Sequence, residues 1–293
     1  MPAAISTSFR RSDLFFLSPW LLTLLLFWLF PILASLVLSF TEYGLLSGEW
    51  HWVGLGNFAR LLHDPTFIKA TGNTLIFTVG TLPVTTCLAL ALAIFLNRNL
   101  PWRRFFQSVY FFPSVVSMVV VAIIFTSLYA RGGYVQMLLD LVGMPTPAAG
   151  FLLDPGTALP AIMAMDIWMA TGYYMLLFLA ALQAVPAELY EAAKLEGARP
   201  WHTFSAITLP HLRPMLLFVV ILNSIKSFQV FVEVFVMTKG GPLNSTFTMV
   251  YFVYEEGLHK FNIGYGSAAA YLLFLVIALI SWFELKLIRT RHA

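Results

Sequence analysis

From Leu14 to Thr41 the chain carries no Lys, Arg, Asp, Glu or His. No other feature constrains its folding so tightly, because about 20 apolar residues in a helix cross the hydrocarbon core of a bilayer. Ala70 to Asn97 and Phe105 to Ala130 are equally free of charge. Leu159 to Gln183 is interrupted only by Asp166, Met215 to Thr238 holds Lys226 and Glu233, and Phe261 to Phe283 completes the series. The runs predict an all-α membrane protein with six transmembrane helices, at residues 14–40, 70–96, 105–130, 159–183, 215–238 and 261–283. A helix is the element expected, since it satisfies its own backbone donors and acceptors in lipid.

Composition excludes a soluble enzyme: 59% of the 293 residues are hydrophobic and 11% charged, against about a quarter charged in soluble domains. A net charge of +3 is too small to point to nucleic acid. Cys87 is alone, which excludes an intrachain disulfide and a cysteine-based zinc site. A cleaved signal peptide has an apolar core of about 7–15 residues, shorter than the first run, so that run reads as a retained helix. Pro19 and Pro31 sit near its ends, where proline is best tolerated.

Residues 1–13 read as a polar tail and 14–293 as one membrane domain. An even number of spans puts both termini and the loop 184–214 on the same side. That side carries Arg10, Arg11, Arg98, Arg103, Arg104, Lys194, Arg199, Arg213, Lys286, Arg289 and Arg291, against Arg60, Lys69, Arg131, Lys239 and Lys260 opposite. By the bias of cytoplasmic loops toward Lys and Arg, the richer side is the cytoplasm. Gly-x-x-x-x-Gly-Lys-Ser/Thr, His-Glu-x-x-His and Gly-x-Ser-x-Gly are all absent, and six scattered histidines suggest no metal site. Such a chain lacks the means to hydrolyse ATP.

Charges inside spans mark function or pairing, because each costs roughly 2.5–3.5 kcal/mol at a helix centre. Asp166, Met169, Ala170 and Tyr173 fall at i, i+3, i+4, i+7 and line one stripe of the fourth helix. Ala170 and Gly172 are expected to leave room beside it. Lys226, Val230 and Glu233 share a face of the fifth helix, with Ser227 beside them. Asp166 and Lys226 lie at similar depth, and two readings stand: a pair holding the helices together, or groups that touch a solute.

The loop 184–214 is a polar island in this oily chain. Pro186 suits a first helical position, Gly197 a left-handed helix end, and Pro200 the start of a second short helix. The expected shape is helix, sharp turn, helix. Leu189, Ala192 and Ala193 share a face on which the small alanines admit another surface, and Lys194 is spaced to pair with Glu191.

Glu191-Ala192-Ala193, then Gly197, then Ile207-x-Leu209-Pro210, resembles the EAA loop of the membrane subunits of binding-protein-dependent ABC importers. The resemblance implies a cytoplasmic coupling helix that docks on a separate ATPase. From Asp166 to Pro242 the chain is similar to the maltose-type sugar permeases, through Ile167-Trp168, Leu182-Gln-Ala-Val-Pro186 and Met237-Thr-Lys-Gly-Gly-Pro242. It places the sugar-lining positions at Asp166, Met169, Ala170, Tyr173, Lys226, Ser227 and Val230, of which Tyr173 keeps the family's residue. Glu196 stands where these permeases more often have Asp. The chain resembles the shorter six-helix form, without the extra N-terminal helices and large outer domain.

Gly240-Gly-Pro242 with Ser245-Thr246 resembles the first of two unlike permeases. The resemblance therefore implies a heterodimer with a second homologous permease, two ATPase subunits, an extracytoplasmic solute-binding protein, and a bacterial or archaeal plasma membrane. No cofactor is expected on this chain, with ATP and Mg held by the ATPase. The expected cargo is a di- or oligosaccharide moved by alternating access. Glycerol phosphate or another polyol is the alternative, since Lys226 attracts an anion, and a proton-coupled transporter relaying through Asp166, Lys226 and Glu233 is a third.

Overall fold

The computed structural model describes residues 11–44, 48–98 and 101–289. Arg10, Arg291 and all of the expected tail before Arg11 lie outside the described residues. Helix α1 (Arg11–Thr23), a π turn at Leu24–Leu29 and α2 (Phe30–Ser39) form one continuous first span. A proline ring clashes with the carbonyl four residues earlier, and a π turn relieves that clash. Pro31 meets this need, because residue 27 lies within the π turn. No residue in the apolar window of this span is buried within the chain. Its end is fastened where the Tyr271 hydroxyl bonds the Ile32 carbonyl and stands 3.3 Å from the Ser35 hydroxyl.

A short antiparallel hairpin follows, β1 (Thr41–Tyr43) with β2 (Trp50–Trp52), pairing Thr41 with Trp52. Helix α3 (Gly56–His63) is tied back by the Asn57 amide, which donates to the carbonyls of Ser39 and Thr41 at 3.0 and 2.8 Å. The second span, α4 (Pro65–Leu96), starts earlier than the expected residue 70. Asp64 Oδ1 accepts from the Thr66 and Phe67 N–H groups at 2.8 and 3.3 Å, and Pro65 takes the first helical position.

The expected third span, 105–130, is corrected. It is two helices, α5 (Arg103–Val115) and α6 (Met118–Leu128), bent by 95°. Pro113 lies in the last turn of α5, and Val116 and Ser117 are extended, so no helical hydrogen bond crosses the joint. Among the described residues five helices are long and apolar enough to cross a bilayer, and the bent pair brings the set to six. The Gly- and Pro-rich loop beyond holds a further helix, α7 (Tyr134–Leu141).

Helix α8 (Ala158–Gln183) is the central post, packed against α4 and α5, with Met165, Met175 and Phe178 buried. Lipid is as apolar as leucine, so close packing and hydrogen bonds hold such helices together. Gly172 shows the closeness: a Cβ there would overlap the Tyr110 carbonyl of α5. The room expected beside Gly172 is therefore filled by the backbone of α5.

Helix α9 (Ala187–Leu195) lies between spans, followed by α10 (Pro200–Thr203), a π turn at Phe204–Thr208 and α11 (Leu209–Phe228). The second short helix expected in the loop is instead the foot of the fifth span, helical from Pro200 onward. The π turn again accommodates a proline, since residue 206, four before Pro210, lies within it. The fifth span breaks at Gln229–Phe231 and resumes as α12 (Val232–Met237). Helix α13 (Met249–Tyr254), a π turn at Glu255–His259 and α14 (Ile263–Arg289), the sixth span, complete the chain.

Candidate functional site

The two helix breaks frame one region. Asp166 of α8 is 2% exposed, and its Oδ1 accepts a hydrogen bond from Lys226 Nζ of α11 at 2.9 Å. Lys226 is less enclosed, with 42% of its side chain exposed. A cavity of about 370 Å³ is lined by Asp166, Lys226, Gln229, Val230, Glu233, Phe77 and Met118 among others. A second, of about 230 Å³, is lined by Lys226, Met118, Ser114, Met169, Ala170, Tyr173 and Tyr174. Lys226 and Met118 border both, so the ion pair stands at the partition. Met118 opens α6 directly after the bend, while Gln229 to Phe231 form the break in the fifth span. Irregular backbone at membrane depth is tolerated where it lines a cavity, and that is where both breaks lie.

Of the stripe read from the sequence, Met169 and Ala170 are buried and Tyr173 is 45% exposed, its ring against that of Tyr174. Ser227 is placed apart from both cavities: it is buried, with its hydroxyl 3.2 Å from that of Thr81 on α4. One residue along a helix turns a side chain by about 100°, which takes Ser227 to α4 while Lys226 faces the cavities. Val230 lines the larger cavity, and its carbonyl accepts from the Thr248 hydroxyl at 3.0 Å. Glu233 is buried and reaches the same cavity from beyond the break. Sequence reasoning missed Met118, Ser114 and Phe77; the only hint was Pro113, four residues before Ser117.

The other candidate is the loop around α9. Pro186 caps this helix and does not begin it. Its far end closes as expected at Gly197, with φ +71°: the Gly197 N–H donates to the Lys194 carbonyl at 3.2 Å and the Ala198 N–H to Ala193 at 2.9 Å. This six-to-one, five-to-two pattern needs a left-handed residue, which glycine supplies without strain. The Tyr190 hydroxyl lies 3.1 Å from that of Thr208, joining α9 to the foot of the fifth span.

The alanine face divides. Ala193 is buried against its own chain while Ala192 and Glu191 are exposed. The outward apolar surface is Leu195, 90% exposed, and Trp201, 75% exposed, on either side of Gly197. Ile207, Leu209 and Pro210 are half-buried at the base. Lys194 forms no ion pair with Glu191; it lines a cavity with Arg98.

Broken helices around buried charges, with an exposed helix–turn–helix between the fourth and fifth spans, define a multi-span transport subunit. The chain belongs to the family of binding-protein-dependent transport system inner membrane components, whose sequence profile matches residues 85–290. It is thus a permease subunit, with ATP hydrolysis in a separate subunit. It is 36% identical over 281 residues to the lactose transport system permease protein LacF of Rhizobium radiobacter, covering 94% of this chain and 93% of that one. It is 35% identical to the arabinooligosaccharides transport system permease protein AraP of Bacillus subtilis, covering 95% and 88%. Its fold matches a chain of a bacterial ABC transporter that imports the acidic polysaccharide alginate, with a TM-score of 0.83, 23% identity and 94% of each chain covered.

Proposed function

We propose that this chain is one permease subunit of an ATP-driven, binding-protein-dependent importer of a neutral di- or oligosaccharide. The observation that carries this reading is the Lys226–Asp166 pair, held between two broken helices at the partition of two cavities. Tyr173 and Met169 offer surface to sugar C–H faces, while Asp166, Glu233 and Gln229 accept from or donate to hydroxyls. Ala170 and Val230 shape the walls, and Ser227 steadies the fifth span against α4.

Relatives named for lactose and arabinooligosaccharides support a sugar cargo. With Lys226 neutralised by Asp166 and Glu233 beside them, the cavity offers no surplus positive charge, which favours a neutral sugar over glycerol phosphate. Glu191, Ala192, Leu195 and Gly197 form the contact with an ATPase partner that holds ATP and Mg, and Ile207, Leu209 and Pro210 form its base. A second homologous permease covers the remaining pore face, and an extracytoplasmic binding protein delivers the sugar. The concentration of basic residues beside α9 supports a plasma-membrane topology with both termini in the cytoplasm. ATP-driven movement of α9 then opens the path outward and inward in turn.

The test is ATP hydrolysis by the purified complex in liposomes, with binding protein and a panel of sugars. One sugar-loaded binding protein should stimulate hydrolysis, and Glu191→Ala should weaken that stimulation. Uptake that follows a proton gradient with no ATPase present would overturn the reading.

A further inference from the structure

A cavity beside α9 is lined neither by the residues of the proposed sugar path nor by the exposed Glu191, Ala192 and Leu195 of that helix. It measures about 480 Å³ and lies between the end of α4, the end of α8, the inward face of α9 and the foot of the fifth span. Its floor is apolar, formed by Ile94, Leu182 and Phe204. Its rim is polar and basic: Arg98, Lys194, Asn97, Tyr190, Thr203 and Thr208. No Asp or Glu lines it, and neither Arg98 nor Lys194 has an ion-pair partner among the described residues.

Cations left unpaired beside a cavity raise its potential and favour an anion. Hydroxyls and an amide around the same space suit a group with several acceptor oxygens. Ile94 and Leu182 belong to the last turns of membrane spans, so this is an amphiphilic recess at the membrane boundary, oily below and cationic above.

We propose that the recess binds a phosphate group and thereby fixes the inward face of α9 to the ends of α4 and α8. The phosphate belongs either to an anionic lipid headgroup, whose glycerol and first methylenes rest on the apolar floor, or to a small soluble phosphate ester. Basic pockets between helices at a membrane surface commonly take such headgroups. The site is independent of the sugar path, and its test requires neither ATP nor sugar.

The complex is purified with whatever subunits accompany it and placed in phosphatidylcholine nanodiscs, with or without phosphatidylglycerol. Retained lipid is counted by native mass spectrometry, and soluble glycerol phosphate is titrated into the phosphatidylcholine discs. Arg98→Gln and Lys194→Gln should each weaken retention about fivefold, while Arg98→Lys and Lys194→Arg keep it and Arg213→Gln, exposed at the same end of the fifth span, leaves it unchanged. Selective retention of phosphatidylglycerol identifies the lipid source; binding of glycerol phosphate in phosphatidylcholine identifies the soluble one. The proposal is overturned if neither probe binds, or if Arg213→Gln weakens binding as much as Arg98→Gln. It is equally overturned if the two Gln variants release the ATPase subunit while phosphate binding persists, because the cations would then be subunit contacts.

Discussion

Asp166 and Lys226 share a hydrogen bond but not an environment. Asp166 is enclosed, whereas Lys226 has 42% of its side chain open. Removing the lysine strands a buried carboxylate, a change that costs about 3–5 kcal/mol when a buried pair is broken. Removing the carboxylate leaves a lysine that can still reach water. Lys226→Met should therefore lower the melting temperature of the purified complex more than Asp166→Asn, and pairing the two substitutions should recover part of the loss.

Close packing makes a second residue-scale prediction: Gly172→Ala forces α5 away from α8 and should destabilise the protein by about 1–3 kcal/mol, read by thermal unfolding in detergent. Asp64, outside the membrane spans, offers a pH test. Burial raises its pKa, but hydrogen bonds from the Tyr265 hydroxyl and the Thr66 and Phe67 N–H groups, with nearby Arg60, outweigh burial and hold it below the usual value. Its contribution is thus present above about pH 4, the ordinary aspartate range, and is lost as pH falls through the lowered value. Asp64→Asn should flatten the acid limb of a stability profile that falls in the parent protein.

At the scale of elements, the turn after α9 is the sharpest case. Gly197 has φ +71° and donates its N–H to Lys194. Proline has neither the conformation nor the donor. Gly197→Pro should abolish sugar-stimulated ATP hydrolysis while membrane insertion, measured by fractionation, stays normal. This turn was legible in the sequence because its cause is local: glycine, proline and hydrogen bonds among near neighbours. The break at Gln229–Phe231 was not, because no glycine or proline marks it. Nor was the 95° bend, since Pro113 falls inside a charge-free run that satisfies every criterion for one span. The division of Ala192 from Ala193 was also hidden, because helical spacing gives a face but not which neighbour that face meets.

For the whole molecule, apolar runs with few or no charges were enough to give the order of the helices, since lipid imposes one rule on every residue it touches. Among the described residues five of them are long enough to span, and the bent pair is a sixth if it counts as one. Which face of each span meets another helix depends on packing that no hydropathy pattern encodes. The proposed topology can be read directly. In a Cys87→Ser background, Leu195→Cys should react with an impermeant thiol reagent only from the cytoplasmic side, and Leu243→Cys only from the opposite side. Both leucines are well exposed within the chain, and with the permease expressed free of the ATPase that would cover Leu195, failure to react reports sidedness. Reaction of both from one side would overturn the six-span arrangement.

From Pro200 to Lys226 the helix is unbroken apart from one π turn, a length of about 39 Å at 1.5 Å per residue. Mechanically this is a crowbar with a soft collar near its short end. Under the proposed role of α9, torque applied at Pro200 reaches the Lys226 end through helix alone, with the collar its one compliant section. The collar at Phe204–Thr208 sets the stiffness of the linkage, so substitutions there should change how much stroke is delivered per ATP while leaving both ends of the bar intact.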